Sequence, residues 1–459
     1  MEPRITDPGD ALRYPGLTDH GLAMLRRLRE HPYAPRFNNR SGHRLTPELL
    51  ARVRDFEDEV LTSNVGWVPS TLPHWLDAFV TRAYSQVPHY RQYGHKPTRF
   101  GDVPTMRRAD LTDIARFVPD DLPIDGLIHY STSGTTGHPL TIASHPVVAA
   151  SYVAFIKKAF ATRGIALEAG RGEVGLVLIG WQRKCFTYVS VTPSMDESGL
   201  LKVNLHPVDW REGDDRARYL DDLAPEVISG DPISFEALLE LGVSCRPKAL
   251  ISTSMMLMPA LRATLERQFA CPVFDFYSLN ETGPVAFASH DGDDHQIVQN
   301  RLYVEILDEQ DRACAAGTPG EVTLTGGFNP YLPLLRYRTG DRAELVFHRG
   351  TPALRNLSGR PPTVYRTASG DPINNVDVTH VLAPFALSQY TLHQDAGGAL
   401  RFRVRGRHPI EPIRDALHGL FGAANEIKIE TDVDFDGKVI QYTRAVQPSG
   451  SQIGEASVG

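Results

Sequence analysis

Cysteine is scarce in this chain of 459 residues, and the four present, Cys185, Cys245, Cys271 and Cys314, stand far apart with no CxxC pair. That spacing argues against a disulfide framework and a thiolate metal centre, suits a reducing compartment, and makes buried free thiols the expectation. Long apolar runs are missing too. No stretch of about 18 apolar residues occurs, and the charged start MEPRITDPGD has no apolar core of signal-peptide length. A membrane partner is therefore not expected, and the cytoplasm is the expected compartment. Basic charge is also short: 48 Lys and Arg against 55 Asp and Glu leave a net charge of −7 with no long basic run. The usual electrostatic footprint for nucleic acid is absent. No internal repeat is visible, and the length suits roughly two to three structural units of a globular chain.

A further absence marks the most distinctive stretch, residues 129–139, HYSTSGTTGHP. Gly134 and Gly137 lack a Cβ and can take positive φ, turning successive N–H groups inward as an anion nest, while Ser131, Thr132, Ser133, Thr135 and Thr136 add hydroxyl donors. No Lys follows the second glycine. A Walker-type loop needs GK[ST] there and opens a helix, whereas His138-Pro139 and the β-prone LTIAS follow here. The loop is expected to join two extended segments. Taken alone, such residues more often build an ordinary polar turn, so the polyphosphate reading depends on partners elsewhere.

From about 170 to 290 helical and extended signals alternate. PEVISG reads as a strand; Asp231 and Pro232 offer an N-cap and a first-turn proline for SFEALLEL, and Gly242 closes that helix. KALISTS is the next strand. Leu257, Leu261 and Leu265 mark one face of a second helix that Pro272 ends before VFDFYS. This α/β pattern implies a largely parallel sheet whose ligand side holds residues 252–254 and 277–281. Beyond 300, RLYVEIL, GEVTLTG and LRYRTGDRAEL read as an antiparallel subdomain. From Gly359 a small α+β domain is expected, carrying SQYTLHQ, LRFRVRG, a helix near PIRDALHGLFG and EIKIETDVDFDGKVIQYTRAV, with Asp436-Gly437 as a hairpin turn. Residues 448–459 read as a frayed tail.

YSTSGTTGHP, YSLNETG, LLRYRTGD, SGR at 358–360 and DGK at 436–438 occur in this order, and the chain so resembles the adenylate-forming superfamily of acyl-CoA synthetases, adenylation domains and luciferases. Its branch looks like phenylacetate-CoA ligase, on VPHYRQYG (87–94), VPTMRRADL (103–111), the ending GK-V-I-Q-Y and the absence of Lys at Leu140. The resemblance implies a large N-terminal domain, 1–358, of mixed or parallel sheets with flanking helices, and a small mobile C-terminal lid, 359–459. It implies an ATP- and Mg²⁺-dependent ligase that turns an organic acid, aromatic or arylacetic, into acyl-AMP and passes it to a nucleophile, coenzyme A first.

The residue roles come from the same resemblance. Residues 131–137 would hold the β- and γ-phosphates, Glu281 would bind Mg²⁺, Tyr277 would stack on adenine and Asp275 approach its amino group. Asn280 stands where Thr or Ser is usual. Asp341 would accept both ribose hydroxyls, Arg360 would contact ribose or phosphate at the domain junction, and Lys438 would bridge the acid and the α-phosphate. Each has a plainer use: a helix-start or surface carboxylate for Glu281, a turn-forming Asp for Asp341, sheet core for VFDFY, an exposed linker arginine for Arg360 and a solvated lysine for Lys438.

One departure concerns the hinge. The residue two beyond Arg360, where related thioester-forming enzymes are thought to pivot, is Pro362, preceded by Pro361. Proline bars a large φ change. An amine or a carrier-protein thiol therefore stands beside coenzyme A as the acceptor, and a catalytically silent nucleotide-binding relative is the non-enzyme alternative. The resemblance also allows a homodimer. His290 and His295, which flank DGDD, read as part of a polar turn rather than a metal cluster. His129, Tyr130, Trp181 and His206 are candidates to line an acid pocket, with packed core as the plainer reading, and Ser278 stands where glycine is usual.

Overall fold

The computed structural model describes residues 9–65, 67–68, 71–131, 140–181, 185–290, 292–359, 363–435 and 441–445. The chain divides into two compact units, residues 1–257 with 261–361 and residues 362–459 with 258–260.

In the larger unit, β1 (Ile128–Ser131) and β2 (Thr141–Ser144) pair antiparallel on either side of the Ser/Thr/Gly loop, so that loop does join two extended segments. The remaining strands form one twelve-stranded sheet. They are β3 (Val174–Gly180), β4 (Tyr188–Thr192), β5 (Ser198–Asn204), β6 (Val227–Gly230), β7 (Ala249–Thr253), β8 (Val273–Leu279), β9 (Gly283–Ala288), β10 (His295–Ile297), β11 (Leu302–Leu307), β12 (Pro319–Gly326), β13 (Leu334–His348) and β14 (Thr351–Gly359). Their order is β11-β12-β13-β14-β10-β9-β8-β7-β6-β3-β5-β4. Strands β8, β7, β6, β3 and β5 run parallel, and the pairings from β8 through β9 to β11 are antiparallel. The antiparallel strands expected beyond residue 300 are thus continuous with the parallel ones.

The crossover helices follow their local signals. Asp231 caps Pro232–Leu241 by accepting from the Ser234 N–H at 2.8 Å, and Gly242 ends it at φ +64°. The second helix runs Pro259–Phe269 and buries Leu261 and Leu265. Leu257 precedes it, because Pro259 is its first residue and proline suits a helix start. Helices Pro47–Thr62 and Pro146–Ala161 bring Val60, Phe155 and Phe160 against Val227, Ile251 and Phe274 of the parallel strands. Each such fully buried side chain contributes roughly 2–3 kcal/mol of transfer free energy.

The antiparallel half curls. One apolar cluster gathers Val285 from β9, Ile297 from β10, Val304 from β11, Leu324 from β12, Ala343 from β13 and Leu354 from β14 around Trp67. The Trp67 indole N–H donates to the Leu302 carbonyl at 3.1 Å. A flat sheet could not bring its outermost strand against β9, so twist and coiling close this half around its own core.

The smaller unit is α+β. Strands β15 (Val364–Arg366) and β16 (Pro372–Asn374) pair, and β17 (Tyr390–Gln394), β18 (Leu400–Val404), β19 (Ile427–Glu430) and β20 (Tyr442–Arg444) form a sheet ordered β19-β18-β17-β20 with helices Asn375–Leu382 and Ile410–Phe421. Asp436 and Gly437, where a hairpin turn is expected, lie outside the described residues; β19 and β20 occupy opposite edges of the sheet, each paired parallel to an inner strand.

Candidate functional site

The parallel strands end on one side, and the residues following them are Trp181 after β3, His206 shortly after β5, Asp231 after β6, Ser254 after β7 and Asn280 after β8. Ser254 takes φ +71°, a left-handed conformation that costs a side-chain-bearing residue energy. Trp181 and His206 meet edge to face at 5.3 Å, and the His206 ring accepts from the Val208 N–H. Tyr130 is half exposed.

Strand β8 turns at once into β9 through Asn280, Glu281 and Thr282, with Leu279 paired to Gly283. Gly283 holds φ +70°, and a Cβ there would lie 2.5 Å from the Phe328 ring, so the turn depends on glycine. Asn280 is exposed, whereas Glu281 is only 4 % exposed. Its Oε1 accepts from Arg108 Nη1 at 2.8 Å and from the Tyr337 hydroxyl at 3.1 Å. Burial, reinforced by the Glu281 charge, pushes the Tyr337 phenol well up, which keeps it a donor.

Arg108 reaches this point because its segment is zipped onto β13. The Met106 N–H donates to the Arg336 carbonyl at 3.1 Å, and the Arg338 N–H donates to the Met106 carbonyl at 2.8 Å. Arg336 and Arg338, the arginines of RYRTGD, serve the fold. Arg336 pairs with buried Glu305 and donates to the Gly101, Val103 and Asp311 carbonyls, while Arg338 pairs with Glu321 and Asp311.

Tyr277 of β8 donates its hydroxyl to Asp341 Oδ2 of β13 at 2.7 Å. Four strand steps separate β8 from β13, roughly 19 Å on a flat sheet, so this bond exists only because the sheet curls. Burial first, and then the Asp341 charge, raise the Tyr277 phenol far above its usual range. Asp341 is aimed by an irregularity in β13. Gly340 takes φ +82°, its N–H donates to Glu321 Oε1 at 3.0 Å, and the Asp341 N–H donates to Thr339 Oγ1 at 3.1 Å.

Asp275 Oδ2 lies 3.3 Å from His295 Nε2, each side chain 18 % exposed, across the small Ala288 of β9. His295 opens β10, and His290 pairs with Asp293 in the preceding turn. Among the described residues no group of three or more His, Cys, Asp or Glu is placed to hold a metal ion.

Tyr277 and Glu281 therefore meet Asp341 and Tyr337 of β13, while Asp275 lies two residues before Tyr277 against His295 and Asn280 is exposed in the β8–β9 turn. Thr132, Ser133, Gly134, Thr135, Thr136, Gly137, Arg360 and Lys438 lie outside the described residues, as do Pro361 and Pro362, and of Ser131 only the backbone is described. Leu140 is buried in a cluster with Val80, Met106, Ile142 and Tyr337. Arg108, Tyr337 and His295 as partners of site carboxylates were not foreseen. Arg108 and Tyr337 sit inside quoted motifs, VPTMRRADL and LLRYRTGD, but nothing in either string says which acid each one meets.

No family model matches the chain. It is 24 % identical over 291 residues to phenylacetate-coenzyme A ligase of Aromatoleum evansii, covering 58 % of this chain and 64 % of that protein. It is 23 % identical over 320 residues to phenylacetate-coenzyme A ligase of Escherichia coli strain K12, covering 63 % and 70 %. The chain thus matches under two thirds of the first relative's length. Among solved structures, 2-hydroxyisobutyryl-CoA ligase in the postadenylation state with 2-HIB-AMP superposes with a TM-score of 0.61 at 14 % identity, over 86 % of this chain and 90 % of that one. An open conformation of that ligase with 2-HIB-AMP and CoA gives 0.52 at 17 %, over 80 % and 89 %. The fold is that of the adenylate-forming ligases. In sequence the chain is phenylacetate-CoA ligase-like.

Proposed function

We propose that this protein is an ATP-dependent ligase that activates an organic acid as its acyl-adenylate, releases pyrophosphate and transfers the acyl group to a nucleophile, coenzyme A before others. The observation that carries the reading is that β13 meets the end of β8 and its turn twice, Asp341 accepting from Tyr277 and Tyr337 donating to Glu281. The names of the two relatives favour an aromatic or arylacetic acid.

In this reading Tyr277 offers its ring to adenine while its hydroxyl holds Asp341, whose carboxylate suits a vicinal diol. Asp275, oriented by His295, addresses the adenine amino group. Glu281 fits a Mg²⁺ role: Oε1 carries both protein hydrogen bonds, and Oε2 has no partner among the described residues. One carboxylate with phosphate oxygens is an ordinary set of ligands for this cation. When bound, Mg²⁺ would supply Lewis-acid neutralisation of phosphate charge. Residues 131–137 would donate to the phosphates. Arg360 and Lys438 would bring cationic charge from the domain junction and from the smaller unit acting as a lid. A lysine 4 Å from developing charge gains about 4 kcal/mol at an effective dielectric near 20, roughly a thousandfold in rate.

The test is exchange of labelled pyrophosphate into ATP across aryl, arylacetic and aliphatic acids. Acid-dependent exchange is expected, and a flat response to the whole panel would end the reading. Pro361-Pro362 favours a second form in which an amine or carrier thiol receives the acyl group. Replacing both prolines with alanine should leave exchange intact and alter thioester formation; if thioester yield is unmoved, the hinge carries no such meaning.

A further inference from the structure

Glu281 is an acid with an assigned companion. Its carboxylate is almost fully buried, yet one oxygen already meets a guanidinium that is 36 % exposed, and the other has no partner among the described residues. The Tyr337 hydroxyl stiffens the same oxygen from below. Formally the Glu281–Arg108 pair is neutral. A lone buried carboxylate would attract any divalent cation in solution, but this one offers a bare cation no net charge and sets a positive group a few ångströms away. A metal–polyphosphate complex is different, because it carries net negative charge. The guanidinium charge attracts its phosphate oxygens while the second carboxylate oxygen takes the metal.

We propose that Arg108 tunes Glu281 to admit a divalent cation only in company with a polyphosphate, so that the site discriminates between free cation and cation–nucleotide complex. The proposal rests on the nucleotide-ligase reading given above. Met106, two residues before Arg108, is fixed to β13 by two hydrogen bonds, and from there the Arg108 side chain reaches Glu281.

The discriminating variant is Arg108→Met, which keeps the apolar stem and removes the charge. Binding of Mn²⁺ would be followed by its electron paramagnetic resonance signal, with the cation alone and with the cation plus a non-hydrolysable ATP analogue. Relative to the wild type, free Mn²⁺ should bind at least about tenfold more tightly, since like-charge repulsion over a few ångströms reaches that size even at the dielectric of water. The Mn²⁺–nucleotide complex should bind about tenfold more weakly. Opposite signs are the signature, because loss of a merely structural arginine would weaken both. Arg108→Lys, which restores the charge, should return both affinities toward the wild type, and it also answers the concern that the methionine variant is misfolded. Tyr337→Phe, which removes a neutral donor, should move free Mn²⁺ binding by less than twofold. Changes of the same sign in Arg108→Met, or unchanged free Mn²⁺ binding, would overturn the proposal while leaving the ligase reading intact. Failure of the wild type to bind the Mn²⁺–nucleotide complex at all would overturn both.

Discussion

At the scale of single residues, the candidate site depends on how Arg108 and Tyr337 hold Glu281 and how Tyr277 holds Asp341. Glu281→Gln keeps shape but removes the charge, and pyrophosphate exchange at saturating metal should fall at least about a hundredfold. The melting temperature should change little, because the half-exposed Arg108 left behind remains solvated. The cysteines give an independent check on burial. Desolvation pushes the Cys245 thiol up to about 11 and the Cys271 thiol to about 12. At pH 8 their thiolate fractions are then about one in a thousand and one in ten thousand. Iodoacetamide should leave both unmodified in the native protein and label them in urea, as read by peptide mass spectrometry. Tyr277, Glu281 and Asp341 were legible as candidates because each stands in a short contiguous string. The partners of Glu281 were not, since Arg108 lies 173 and Tyr337 56 positions away.

Among the elements, the β8–β9 turn most directly positions the site. Gly283→Ala would place a methyl against the Phe328 ring at a positive φ, at a cost of about 2–3 kcal/mol. The urea midpoint should drop accordingly, and exchange should fall further than stability alone explains because Glu281 sits two residues earlier. An unchanged midpoint would mean that Phe328 moves aside freely. Helix Pro232–Leu241 and the strands around it were readable from local signals, since an N-cap aspartate, a first-turn proline and a closing glycine act within a few residues. The places of β19 and β20 were not readable for the opposite reason: which strand pairs with which is decided by tertiary packing, and each found an inner neighbour.

For the molecule as a whole, stability should depend on pH through its partly and fully buried imidazoles. Burial is the largest cause of lowered values at His31, His43, His89, His145 and His408, and His43 reaches about 4. The unfolded chain binds protons at these positions near pH 6.5. Below that, it holds more protons than the folded chain, so stability falls as pH falls. Urea midpoints should therefore decline from pH 7.5 to 6.0 to 5.0, and His43→Asn should flatten the decline. A midpoint at pH 5.0 equal to or above that at 7.5 would contradict this. The alternation of helices and strands announced the parallel half of the sheet; the coiling of the other half was illegible, because curvature accumulates over several ladders and no single strand encodes it. That curvature has a last consequence. A slip of two residues in any ladder between β8 and β13 would displace one side of the Tyr277–Asp341 bond by about 7 Å. In the proposed function, a nucleotide bound there would recognise only chains in which every intervening strand has found its place, so its affinity would gauge finished folding and its presence would stabilise completed molecules alone.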